Sequence, residues 1–139
     1  MLVYLDSNII IYLIEQPAQF GPRASARIAA LAAAGDKIVV SDLTRLECRA
    51  NAVATSDQVT LAQYDAFFSQ AVEQVMPLTT AVVDRATIIR GRYRFKTPDA
   101  LHLAAAVEAS CQTFLTNDTR LAGFPGLSVE ALVVPSSKS

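Results

Sequence analysis

Short apolar runs alternate along this chain with longer stretches whose apolar residues recur at helical spacing. LVYL (2–5) is the first run, and SNIIIYLIEQ after it predicts a helix capped by Asp6 or Ser7. Pro17 to Pro22 marks a break, and residues 23–34, RASARIAALAAA, predict a second helix with Gly35 placed to end it. KIVV (37–40) reads as a strand, with Ser41 or Asp42 as the cap of LTRLECRANAV behind it. Residues 58–74 predict a further helix that gives way to a short VMPL segment. From Thr79, Val82, Ala86, Ile89 and Tyr93 keep helical spacing, and Thr97-Pro98 offers an N-cap and an N1 proline for ALHLAAAVEAS. QTFLT (112–116) reads as a strand, TRLAG as a short helix and LSVEAL as a last strand. Strands separated by one or two helices predict an α/β fold with a mainly parallel central sheet. Such sheets bind ligands beyond the carboxyl ends of their strands, where chain direction switches.

Composition narrows this picture. A chain of 139 residues suffices for one domain, expected over residues 1–134, with 135–139 as a flexible tail. With 52% hydrophobic and 18% charged residues, elements covered on both faces, or an oligomer that hides an apolar patch, are expected. A formal charge of −1 argues against a grip on nucleic acid through overall charge and leaves local basic patches open. Cys48 and Cys111 have no metal-type spacing and make no disulfide scaffold, which points to a reducing, cytoplasmic compartment. Asp6 interrupts the first apolar run far short of the roughly 20 residues a membrane span needs, so no membrane association is expected.

Four carboxylates stand in one kind of place. Asp6 follows the first strand directly, and Asp118 follows TFLT with only Asn117 between. Asp99 lies in the first turn of its helix, and Glu47 lies in the helix after KIVV. Each has a plain structural reading: an N-cap for Asp6 and Asp118, a complement to the helix dipole for Asp99, a solvated side chain for Glu47. An apolar stripe of Leu43, Leu46, Ala50 and Val53 would set Glu47 at its edge. Together the four have a second reading. In a parallel sheet they converge, and such a cluster cannot stay ionised without a counter-charge. Lys96 is the lysine near these motifs, so a hard divalent cation is the natural partner, and oxygen-only ligands select Mg2+ or Mn2+.

LDSN, SDLTRLE, TPDALHLAAA and LTND, in that order, resemble the PIN-domain nucleases, and among them the VapC-type toxins of bacterial toxin–antitoxin pairs. The resemblance spans roughly Leu2 to Leu132, and PDALHLAAA with LTND is its most specific part. It implies a three-layer α/β/α sandwich around a five-stranded sheet and a metal-dependent endoribonuclease. It also implies a homodimer silenced by a cognate antitoxin protein. Asp6 and Asp99 match the family's principal metal ligands, Glu47 and Asp118 the other two acids, and Thr116 a hydroxyl beside the last. Ser7 stands where many relatives have threonine. The activity implied is hydrolysis of RNA phosphodiesters with Mg2+ or Mn2+, with Glu47 as ligand, supporting residue or base.

The remaining polar residues carry two readings each. RGRYRFK (90–96) would track phosphates through Arg90, Arg92, Arg94 and Lys96, or would simply end a helix in cations. Arg45 and Arg49 flank Glu47, and Arg120 follows Asp118, either near substrate or neutralising the acids. Asn8 and Asn117 suit turns as well as substrate contact, and His102 is read as a packed or partly exposed histidine rather than a ligand. Phe67, Phe68 and Val72 are read as core, or as part of a groove for an antitoxin helix, and the alanine-rich stretch 24–34 as close helix packing or a dimer seam. Two alternatives stand beside the nuclease: a non-catalytic RNA- or protein-binding module, and phosphoryl transfer through an aspartyl nucleophile at Asp6. Asn8, where such enzymes want a second acid, speaks against the latter.

Overall fold

Five strands, all paired in parallel, form one sheet in the computed structural model, which describes residues 1–132. The expected tail at 135–139 lies outside the described residues. In chain order the elements are β1 (Leu2–Leu5), α1 (Ser7–Glu15), α2 (Phe20–Ala33), β2 (Lys37–Ser41), α3 (Asp42–Ala54) and α4 (Gln58–Gln70). Then come β3 (Gln74–Met76), α5 (Thr80–Tyr93), α6 (Thr97–Glu108), β4 (Thr113–Thr116), a 3-10 helix (Thr119–Gly123) and β5 (Ser128–Ala131). The sheet order is β3-β2-β1-β4-β5, so the chain winds outward from β1 on one side and returns to start β4 on the other. The switch in direction falls between β1 and β4.

Strand alternation divides the core into two layers. Tyr4, Val39 and Phe114 face Val82, Ala86 and Ile89 of α5 and Leu103 of α6. Val3, Leu5, Ile38, Val40 and Leu115 face the other way, onto Ile9, Ile10, Leu31, Cys48, Tyr64, Phe67 and Phe68 of α1 to α4. This is the three-layer α/β/α sandwich, with a sheet covered on both faces, as its near-continuous apolar strands require. Among the described residues no helix is long and apolar enough to cross a membrane.

Four expectations need correction. The second helix starts at Phe20 rather than residue 23, because Pro22 sits in its first turn, where no intrahelical N–H bond is demanded of it. The helix over 58–74 ends at Gln70, and Gln74 already belongs to β3, paired with Val39. Thr97 is not the cap of α6 but its first residue, with Lys96 in the cap position. The expected apolar stripe of α3 is on the wrong face: Leu46 and Val53 are each 61% exposed, while Thr44, Cys48 and Ala52 are buried. Small residues let this helix lie close on the sheet, and the buried Thr44 hydroxyl accepts from Ser41 N–H (3.1 Å) in a capping box.

One close approach fixes the turn between α1 and α2. A Cβ on Gly21 would stand 2.7 Å from Gln16 Cα and 2.9 Å from its carbonyl carbon, both backbone atoms. Gly21→Ala should therefore destabilise the protein by about 1–3 kcal/mol through overpacking, despite the better helix propensity of alanine. Urea denaturation with an unchanged m-value and a lowered midpoint is the expected result; an equal or raised midpoint contradicts it.

Candidate active site

The site is assembled where β1 and β4 end side by side. Asp6 closes β1 and caps α1, its Oδ1 accepting from Ser7 N–H at 2.8 Å. The Thr116 hydroxyl, at the end of β4, donates to Asp6 Oδ2 at 2.7 Å. The same Thr116 oxygen accepts from Asp118 N–H (3.1 Å), so one hydroxyl ties together the acids that follow two neighbouring strands. Asp118 in turn caps the 3-10 helix by accepting from Arg120 N–H (3.0 Å). The cap reading and the site reading of these two acids are thus compatible: capping is how each carboxylate is aimed.

Glu47 arrives from α3. Its Oε1 accepts from the Ser7 hydroxyl at 2.7 Å and lies 2.6 Å from His102 Nε2. The same imidazole nitrogen stands 3.9 Å from Asp6 Oδ1, so one ring on α6 spans two of the four acids. On its far side Nδ1 is 2.7 Å from the Tyr4 hydroxyl, which meets Ser41 Oγ at 2.8 Å. Asp99 comes from the first turn of α6, one helical turn before His102.

All four carboxylates line one open cavity of about 570 Å³, together with Ser7, Asn8, Asn117 and His102. Its electrostatics are uneven. Partial burial, then the negative charge of Asp6 and Asp118, pushes the Asp99 carboxyl above its ordinary value, against the pull of Arg120 and His102. Asp118 lies below its ordinary value, chiefly because the Arg120 side chain holds it, with Lys96 adding a smaller attraction. Burial would raise Glu47, but hydrogen bonds from His102 and Ser7 outweigh it and hold that carboxyl low. Among the described residues no three acidic, histidine or cysteine groups already stand as a closed cage for an ion. The reason is visible: Asp118 is turned onto Arg120 (2.5 Å) and Glu47 onto His102.

The other predicted residues separate into rim and remainder. Asn8 donates to Asn117 Oδ1 (3.1 Å), and Asn117 donates to the Tyr12 hydroxyl (2.5 Å), forming a polar ladder along one wall. Arg120 bridges the rim, reaching Asp99 at 3.9 Å as well as Asp118. Arg45 is occupied by Asp42 (3.3 Å) and Arg49 by Asp65 (3.3 Å), and neither lines the cavity. Arg90, Arg92, Arg94 and Lys96 are exposed around the α5–α6 junction, with Arg90 donating to Phe95 O (2.7 Å). His102 is packed, as expected, at 1% exposure, but its two hydrogen-bonded nitrogens were not legible. The spacing D-x-x-H from Asp99 puts it on the same face, and that was the available signal.

The sequence matches the model of one family, the PIN domain, over residues 3–127. No curated protein matches the chain. Among solved structures, the chain is similar to VapBC2 from Rickettsia felis bound to a promoter DNA fragment, at 18% identity and a TM-score of 0.75, covering 94% of this chain and 98% of that one. A toxin–antitoxin complex from Klebsiella pneumoniae is similar at 23% identity and a TM-score of 0.70, covering 93% and 96%. The sarcin–ricin-loop-cleaving toxin VapC20 of Mycobacterium tuberculosis is similar at 18% identity and a TM-score of 0.67, covering 90% and 98%. With the five-stranded parallel sheet and the acid-lined cavity at its switch point, the match over nearly the whole chain shows that this protein belongs to the PIN-domain family.

Proposed function

We propose that this protein is a Mg2+- or Mn2+-dependent endoribonuclease, the toxin of a toxin–antitoxin pair. One observation carries the reading: Asp6, Glu47, Asp99 and Asp118 line a single cavity in which Arg120 and His102 hold Asp118 and Glu47 low, while burial and then the charges of Asp6 and Asp118 leave Asp99 pushed up. The donor set fits a hard divalent cation, being carboxylate oxygen throughout. Asp6 and Asp99 would be its principal holders, with Asp118 and Glu47 as weaker candidates. A bound ion of this kind supplies polarisation of a phosphodiester oxygen and a water of lowered pKa.

The chain's own residues supply orientation. Thr116 and the backbone of Ser7 each take one lone pair on Asp6, so that this carboxylate presents a fixed edge to the cavity. Glu47 Oε1 is committed to Ser7 and His102, while Oε2 has no hydrogen-bond partner among the described residues and is available to orient or deprotonate a water. Arg120, Lys96, Arg90, Arg92 and Arg94, all exposed, and more weakly Arg45, would bind phosphates flanking the scissile bond. Asn8 and Asn117 offer amide groups to sugar or base. A cognate antitoxin and a homodimer, in the cytoplasm, complete the proposal; for the antitoxin, support comes from a neighbour that is itself a toxin–antitoxin complex.

Purified protein should cleave RNA with Mg2+ or Mn2+ and lose the activity with EDTA. Asp6→Asn and Asp99→Asn should each lower the rate at least about 100-fold, and Asp99→Asn should leave the melting temperature equal or higher, since it removes a charge that burial and its neighbours disfavour. Cleavage that survives both substitutions rules the proposal out.

The metal-free protein should also show its charge imbalance directly. Side-chain carboxyl carbon NMR is expected to find Asp99 titrating at higher pH than Asp118. Removing the guanidinium with Arg120→Ala should move both titrations upward, because Arg120 lowers each of them. A downward movement at either acid contradicts this account of the site.

A further inference from the structure

Under the cavity floor runs a chain of side-chain hydrogen bonds that the proposed chemistry leaves without a task. It starts at the Ser41 and Thr44 hydroxyls, 2.8 and 3.3 Å from Tyr4 Oη, and passes through Tyr4 to His102 Nδ1 at 2.7 Å. From His102 Nε2 it reaches Glu47 Oε1 (2.6 Å), then the Ser7 hydroxyl (2.7 Å), one residue from Asp6. Tyr4, Ser41 and Thr44 are fully buried, and His102 is 1% exposed. Among the described residues no buried side-chain nitrogen or oxygen lacks a partner, so the chain is complete.

We propose that Tyr4 and His102 are positioning residues that set the carboxylate of Glu47 against the cavity; this rests on the reading of Glu47 as part of the nuclease site. An ionised carboxylate only accepts, so Nε2 presents its proton to Glu47, and Nδ1 meets a hydroxyl that can donate or accept. The imidazole cannot turn without breaking both bonds. Tyr4 cannot turn either, being stacked on Phe114 (centroids 5.2 Å, 6° between planes) and set edge-on to His102 at 5.7 Å. A glutamate in mid-helix has three rotatable bonds and would otherwise sample solvent. Here its head is held by a ring on α6 that is itself held by the central strand. The chain therefore links the end of β2, the strand β1 and the helices α3 and α6, the elements that deliver Asp6, Glu47 and Asp99. A histidine needed only to fill space would have no reason to aim one nitrogen at a carboxylate and the other at a buried hydroxyl.

The test is a mutant cycle read by Mn2+ affinity (electron paramagnetic resonance of the free ion) and by RNA cleavage, with thermal melts to establish folding. Tyr4→Phe changes no atom of the cavity, yet should weaken Mn2+ binding or cleavage roughly 10–100-fold, as expected for a partner behind a metal-site residue. His102→Leu should do the same, and His102→Gln, which keeps an N–H for Glu47, should recover part of the loss. In a Glu47→Ala background, Tyr4→Phe should cost nothing further. The proposal is overturned if folded Tyr4→Phe and His102→Leu keep wild-type affinity and cleavage, or if their losses are undiminished without Glu47. If the wild type binds Mn2+ and cleaves no RNA, the nuclease reading falls, and the affinity cycle still decides the positioning role. If the wild type binds no Mn2+, side-chain carbon relaxation at Glu47 in the metal-free protein decides it: Tyr4→Phe should loosen the carboxylate, and unchanged order overturns the proposal.

Discussion

Like charge gathered at a buried strand end is the constraint on which the rest of this structure depends. Asp6 is only 7% exposed, and Asp99 has both Asp6 and Asp118 for electrostatic neighbours, an arrangement that costs free energy unless something opposes it. The fold opposes it in two ways. Outside, the Arg120 guanidinium sits on Asp118 and reaches toward Asp99. Inside, Thr116, the Ser7 amide and His102 offer protons to Asp6 and Glu47. Neither device neutralises Asp99, which is the acid left pushed up. A cation between these groups would relieve that residue, which ties the electrostatics of the acids to the chemistry proposed for them.

The topology explains why the charges meet at all. Residues far apart in sequence arrive at one place because β1 lies in the middle of a parallel sheet and β4 returns beside it across the switch in winding. Every strand of such a sheet delivers its following residue to the same edge. Asp6 and Asp118 need only follow their strands, and the hydroxyl of Thr116 then sits between them. Helices leaving that edge bring Glu47 and Asp99 in from above. Two apolar layers, one on each face of the sheet, hold these elements so that the acids cannot spread apart.

Much of this was legible in the sequence because it rests on local rules. Apolar runs of strand length, caps at Asp6 and Ser41, and the left-handed Gly35 after α2 mark element ends wherever they occur. The four acids could be picked out because a carboxylate beside an apolar run is conspicuous, and the order of the motifs linked them. What went astray involved a choice between faces or partners. On α3, Leu46 and Val53 look like a buried stripe, yet the sheet takes Thr44, Cys48 and Ala52. Helical periodicity gives the spacing of a face without saying which face the tertiary contacts choose, and small residues with a satisfied hydroxyl pack more closely there.

Arg45 and Arg49 show the same limit: adjacency to Glu47 suggested a shared site, while their side chains found Asp42 and Asp65. His102 shows it most clearly, since packing or partial exposure was expected and its bonds were not. By itself the sequence determined the parallel α/β class, most of the elements and which acids follow strand ends or stand in a helix's first turn, since each of these follows from residues within a few positions of one another. Only the tertiary structure decided that Tyr4, Ser7, Glu47 and His102 would share one line of hydrogen bonds. Those contacts join residues 40 to 98 positions apart, and such pairings depend on how the helices settle on the sheet, for which no local pattern carries a signal.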